Sequence, residues 1–164
     1  MAIAAPRWQA AAVAAGCAMA VAVLGALSTD LGHWYASLKQ PSWKPPDAWF
    51  GPIWTAIFAC AALSAASAWR AVRTLRQRQT LAMLWSANAF LNVLWSLLFF
   101  RLHRPDWALI EVAALWLSIV ALMVASVRWS RAASWLLVPY LVWVTLAAGL
   151  NLAVVRLNAP FGGT

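Results

Sequence analysis

"QTLAMLWSANAFLNVLWSLLFF", residues 79–100, contains no Asp, Glu, Lys or Arg, and Arg76 and Arg78 precede it while Arg101 follows it. Wound as an α-helix, such a run spans roughly 33 Å, enough to cross a hydrocarbon core about 30 Å thick. A helix also satisfies its own backbone N–H and C=O groups, which lipid cannot do. The run therefore predicts a transmembrane helix. Within it Trp85, Asn88, Asn92, Trp95 and Phe99 recur three and four residues apart, which puts them on one side of the helix. That side mixes large aromatic rings with carboxamides, a combination that lipid does not call for.

The same test applied outward finds three more runs free of charged residues, Trp8–Thr29, Ala48–Trp69 and Ala132–Val155, and a fourth, Trp107–Val127, broken only by Glu111. The expectation is an all-α integral membrane protein, a five-transmembrane-helix bundle forming one domain over 1–164. Its helices are placed at about 8–29, 48–69, 79–100, 107–127 and 132–155, with a loop at 30–47. Composition agrees: 65% of residues are hydrophobic and 10% charged, with mean hydropathy +0.75, whereas soluble domains carry about a quarter charged residues. Arg7, an apolar stretch and Ala26-Leu27-Ser28 imitate a secretory signal peptide, but the run exceeds the usual apolar region of about 7–15 residues and reads as the first helix.

The net charge of +8 does not point to nucleic acid, because the basic residues flank the apolar runs. Arg7, Arg70, Arg73, Arg76, Arg78, Arg128 and Arg131 fall on one side of a five-span topology, and Lys39, Lys44, Arg101, Arg104 and Arg156 on the other. Seven against five favours a cytoplasmic N-terminus. Cys17 and Cys60 sit in separate apolar runs and read as small hydrophobes, and His33 and His103 fall in loops with no metal or catalytic spacing. No metal site and no conventional catalytic constellation is read from the chain. Glu111, about a turn inside the fourth helix, is either a headgroup contact or ion-pair partner of Arg104 or Arg101, or a functional intramembrane carboxylate.

The other helices carry faces of their own. Ala10, Ala14, Ala18 and Ala22 form a small-residue stripe in the first, with Gly16 and Ala20 alongside. Trp54, Phe58, Ala61, Ala65 and Trp69 share a side of the second, and Pro139, Trp143, Ala147 and Asn151 a side of the fifth, next to Leu150. Two readings fit: asparagines as hydrogen-bonding glue between packed helices, or a ligand cavity with aromatic walls and a few polar groups to orient its guest. The connector "KQPSWKPPDAWFGPIWT", residues 39–55, holds four prolines and three tryptophans. Prolines fix it in an extended form without later entropic cost. Trp34, Tyr35, Trp43 and Trp49 then make it an aromatic cover over one end of the bundle, or an interfacial belt.

"WYASLKQPSWKPPDAWFGPIWT" closely resembles the loop signature of the TspO/MBR family, the tryptophan-rich sensory or translocator proteins, also known as peripheral-type benzodiazepine receptors. "NAFLNVLWSLLFF" and "LLVPYLVWVTLAAGLNLAVVRLN" are similar to that family's third- and fifth-helix motifs, so the likeness runs from about Trp34 to Asn158. The resemblance implies a five-helix bundle, commonly a homodimer, in a bacterial cell envelope, which binds porphyrins (protoporphyrin IX, haem), sterols and benzodiazepine-type drugs as ligands, with no obligatory cofactor. It implies a sensor or regulator of tetrapyrrole metabolism or stress, with light-dependent porphyrin degradation or transport of small lipophilic molecules as alternatives. Carried over by motif, the ligand-binding residues are Tyr35, Trp43, Trp54, Asn88, Asn92, Trp95, Trp143, Ala147 and Leu150. Two positions depart from the pattern. Ala48 stands where a loop tryptophan is usual, and Leu152 replaces the tyrosine of the sterol pattern ahead of Arg156. For the dimer face, the sequence offers the alanine stripes of the first two helices or Ala114, Ser118 and Ala125 of the fourth.

Overall fold

A computed structural model describes residues 7–161, so the domain bounds of 1–164 run past the described residues at both ends. The chain forms α1 (Arg7–Ser28), a short α2 (His33–Ser37), α3 (Phe50–Ala71), α4 (Leu75–Ser96), α5 (Pro105–Val127), α6 (Arg131–Trp135) and α7 (Val138–Asn158). Five stretches are long and apolar enough to cross a membrane: α1, α3 with the 3-10 turn before it, α4 with the turn after it, α5, and α6 with α7.

Local sequence explains where these helices begin and break. Thr74 and Gln77 form a reciprocal capping box at the start of α4, with the Gln77 N–H donating to Thr74 Oγ1 at 3.2 Å and the Thr74 N–H to Gln77 Oε1 at 3.1 Å. Pro52 and Pro105 lie in the first turns of α3 and α5, where the absent N–H costs nothing. The sequence predicts one continuous helix over 132–155; the structure divides it at Leu136–Leu137. Pro139 is the cause, since it has no N–H to donate to Trp135 and its ring crowds that carbonyl. Beyond Ser96, α4 widens into a π-turn over Leu97–Arg101, where the Leu102 N–H reaches back to the Leu97 carbonyl at 2.9 Å. The widened turn lets two consecutive residues, Phe99 and Phe100, both be buried.

The principal contacts close a ring in the order α1, α3, α6–α7, α5, α4 and back to α1. α1 lies at the outside, with Trp8, Val13, Met19, Val23, Leu24 and Leu27 exposed to the surroundings. Its half-buried positions are Ala10, Ala14, Ala18 and Ala22, together with Ala11, Val21 and Gly25. The alanine stripe therefore faces into the bundle, where α1 packs chiefly on α3, while Gly16 and Ala20 are exposed. Between α3 and α6 the glue is hydroxyl: Ser64 Oγ donates to the Ala133 carbonyl at 2.7 Å, and Ser67 and Ser130 share a bond of 2.9 Å. Enlarging the stripe tests this seat: Ala18→Leu is expected to lower bundle stability by about 1–3 kcal/mol through overpacking, whereas Ala15→Leu, on the exposed side, leaves thermal melting in detergent unchanged.

Candidate ligand site

Tyr140, near the start of α7 and only 2% exposed, organises the middle of the bundle. Asn92 Nδ2 donates to its hydroxyl at 2.9 Å, and that hydroxyl donates to Asn88 Oδ1 at 3.3 Å. Asn88 Nδ2 in turn donates to Ser118 Oγ at 2.8 Å, so the chain of bonds ties α4 to both α7 and α5. The ring of Tyr140 meets Trp54 of α3 edge to face, with centroids 6.2 Å apart, and Trp54 meets Trp143 in the same way at 6.5 Å. Phe58 stacks on Trp54 at 5.3 Å, and Phe50 packs edge-on against Trp143. Trp54, Asn88, Asn92 and Trp143, read from three separate helices, are thus brought together around a residue that the reading of faces passed over. The signal was present, since Tyr140 precedes Trp143 by three residues and shares its side of the helix.

A second aromatic group continues from the first toward the connector. Trp95 stacks on Phe99 at 5.1 Å and meets Phe100 edge-on at 6.0 Å. Tyr35 tilts against Phe100 at 5.7 Å, and Trp34 lies between Phe99 and the His103 ring, which it stacks at 4.2 Å. Ala147 is half-buried and Leu150 buried on the Trp143 side of α7. Trp43 is not brought to this cluster. It is 52% exposed and rests on Gly149, beside an outer recess of about 380 Å³ that Leu152, Ala153, Arg156 and Leu157 also line. Trp49 is 60% exposed. The four connector aromatics therefore divide, with Trp34 and Tyr35 covering the end of α4 and Trp43 and Trp49 facing outward.

The cover is held at two points. The Lys39 N–H donates to Asn158 Oδ1 at 2.8 Å, and Asn158 Nδ2 donates to the Lys39 carbonyl at 2.9 Å, so the last residue of α7 clamps the connector backbone. Lys44 Nζ donates to the Tyr35 hydroxyl at 3.0 Å and pairs with Asp47, which also accepts from Tyr35 at 3.0 Å. Burial pushes the Lys44 ammonium down, but the bonds to Asp47 and Tyr35 outweigh it and hold the group above its ordinary value of 10.5. Burial likewise raises the Tyr35 phenol above 10.0, against the pull of Lys44. At neutral pH the tether is an ammonium, a neutral phenol and a carboxylate.

The pairing expected for Glu111 is overturned. Arg104 is taken by Asp106, with Nε donating to Oδ1 at 2.8 Å, and Arg101 donates to the Leu27 carbonyl at 2.6 Å. Glu111 is 8% exposed, and among the described residues neither carboxyl oxygen has a hydrogen-bond partner. Its position in sequence suggested a headgroup because a one-turn depth looked shallow. Ala108, one turn before Glu111, is packed with Phe99 and Phe100 of the π-turn, against which Trp34, Tyr35 and Leu38 of the connector lie.

Five membrane-length helices around an inner layer of indoles, carboxamides and a buried tyrosine define an integral membrane protein with an aromatic core. A sequence model of the TspO/MBR family matches residues 11–157. Protein CrtK of Rhodobacter capsulatus is 39% identical over 152 residues, 89% of this chain and 89% of the relative. Tryptophan-rich protein TspO of Chlorobaculum tepidum is 35% identical over 145 residues, 87% of this chain and 92% of the relative. The tryptophan-rich sensory protein of Cereibacter sphaeroides is 37% identical over 126 residues, 77% of each chain. The chain belongs to the TspO/MBR family.

Two measurements check the two ends of the site. Tyr140→Phe keeps the ring but strips Asn92 and Asn88 of their partner, and is expected to cost about 1 kcal/mol in detergent melting. Asn158→Ala frees the Lys39 backbone, so amide exchange across residues 38–40 is expected to speed by about tenfold, the equivalent of one lost bond.

Proposed function

We propose that this protein binds porphyrins, protoporphyrin IX and haem among them, and other flat lipophilic molecules in the layer between α3, α4 and α7. In this reading it acts in a bacterial cell envelope as a homodimeric sensor or regulator of tetrapyrrole metabolism or stress. The observation that carries the reading is the convergence of Trp54, Trp143 and Tyr140 with Asn88 and Asn92. A planar apolar guest gains most from indole faces, and the carboxamides supply the few polar groups that orient it. Trp54 and Trp95 each keep part of their surface accessible although they lie on bundle-facing sides. Entry requires Trp34 and Tyr35 to lift from Phe99 and Phe100, which links occupancy of the layer to the state of the connector. Lys39, exposed and with no hydrogen bond from its ammonium among the described residues, is a connector cation available to a guest's carboxylates. The word "sensory" in the name of the Cereibacter sphaeroides relative supports a signalling role over simple storage.

Titration of the purified protein with protoporphyrin IX is expected to quench tryptophan fluorescence to a saturating stoichiometry. Trp54→Ala and Trp143→Ala together are expected to weaken binding by at least about tenfold, from the loss of two aromatic pairs. Unchanged affinity in the double variant sinks this placement of the site.

A further inference from the structure

The outer side of α5 and α7 carries a groove that the inner layer does not use. A recess of about 550 Å³ lies between Ala113, Trp116 and Leu117 of α5 and Thr145, Gly149 and Leu152 of α7. It shares Gly149 and Leu152 with the recess of about 380 Å³ that reaches Trp43 and Arg156, so the two form one channel along the surface. Small residues on α7, Ala148, Gly149 and Ala153, give it depth, and a Cβ added at Gly149 would meet only the Trp43 ring, at 3.6 Å. At one end Trp116 Nε1 donates to Thr145 Oγ1 at 2.9 Å, and that hydroxyl donates to the Leu141 carbonyl at 2.8 Å. The polar groups there are spent on protein. At the other end, in the last turn of α7, Arg156 is exposed. It takes no part in either ion pair found among the described residues, where Lys44 holds Asp47 and Arg104 holds Asp106. Thr145, Gly149, Leu152 and Arg156 recur three and four residues apart, on one side of the helix. From Thr145 to Arg156 that side rises about 16 Å, close to one leaflet of a hydrocarbon core about 30 Å thick.

We propose that this groove binds an anionic phospholipid of the bilayer, with the lipid phosphate on Arg156 and one acyl chain laid past Leu152 and Gly149 to Trp116. Three features select that occupant. The walls are apolar, and a furrow left empty in lipid forfeits the dispersion contacts of its lining, so a flexible chain fills it. The length matches a chain that starts at the headgroups and ends at the midplane. Arg156 is the one charged residue of the lining among the described residues, and it stands at the end of the membrane-length stretch Arg131–Asn158. A guanidinium makes paired, charge-assisted bonds to phosphate. A sterol offers Arg156 only a neutral hydroxyl. A second copy of this chain brings twelve basic residues against four acids, a poor complement to an unpaired cation. Trp43 lies over the Arg156 end of the channel, where an indole is at home in the interface, so a lipid held there buttresses the connector from outside. The site is separate from the inner layer and does not depend on how that layer is read.

The test uses the full-length protein, purified in mild detergent and stripped of lipid. It is offered equal amounts of phosphatidylglycerol and phosphatidylcholine with the same acyl chains, and retained lipid is counted per chain by native mass spectrometry. The wild type is expected to keep one phosphatidylglycerol per chain, about tenfold in preference to phosphatidylcholine. Arg156→Gln is expected to hold the two lipids alike. Arg128→Gln removes the same charge from the far end of α5 and is expected to behave as the wild type, which separates a site from general basicity. Gly149→Leu, which fills the channel, is expected to keep neither lipid. A wild type that retains both lipids equally, or neither, overturns the proposal, and that result does not need any variant to fold. A preference that survives Arg156→Gln overturns it as well. So does displacement of phosphatidylglycerol by equimolar cholesterol, which assigns the groove to a sterol. Gly149→Leu that keeps its lipid but changes from dimer to monomer gives the groove to a second copy of the chain and likewise overturns it.

Discussion

The hydroxyl of Tyr140 is the point on which the bundle's interior depends. Lipid tails are as apolar as leucine, so no hydrophobic force draws membrane helices together, and packing and interhelical hydrogen bonds must do so. Tyr140 joins three elements at once: its oxygen bridges Asn92 and Asn88 of α4, its ring packs on Trp54 of α3, and its own helix carries Trp143 beside it. In an interior of low dielectric such a bond is strong, and an unmade one is expensive. The same side chains that hold the ring of helices closed therefore also decide the shape and polarity of what lies between them.

Around that centre, two kinds of contact divide the work. The outer helix α1 is seated by small residues, whose lack of side chain lets backbones approach, and it offers its large apolar groups to the surroundings. The connector is held instead by polar bonds at its two ends, Asn158 on Lys39 and the Lys44–Tyr35–Asp47 cluster. Between them the chain makes a turn, with the Lys44 N–H donating to the Pro41 carbonyl at 3.1 Å, and the prolines at 41, 45 and 46 stiffen the backbone around it. The cover is thus fastened at two polar points, with Trp34 and Tyr35 packed on Phe99 and Phe100.

Much of this was legible residue by residue. The charge-free run at 79–100 announced its helix, and the spacing of Asn88, Asn92 and Trp95 announced the side of that helix that turns inward. The alanine stripe of α1 was visible too, as a close-packing surface, though not which helix it would meet. Less legible were features that depend on a second element. The break at Leu136–Leu137 follows from Pro139, yet a proline near a helix start is compatible with either a break or a first turn. The π-turn at Leu97–Arg101 leaves no mark in composition, because it answers the packing of Phe99 and Phe100 under Trp34 and Tyr35. Glu111 looked shallow enough to find an arginine, and both candidate arginines are engaged elsewhere.

By itself the sequence determined that the chain spans a membrane five times, which side of each helix is polar or small, and which family it belongs to. These are properties of single segments, written in hydropathy and in a period of 3.6 residues. Only the tertiary structure decided that Trp54, Tyr140 and Trp143 meet, that Trp43 and Trp49 turn outward while Trp34 and Tyr35 turn in, and that Glu111 is left without a partner among the described residues. Those outcomes depend on the register between helices far apart in the chain, which no local pattern encodes.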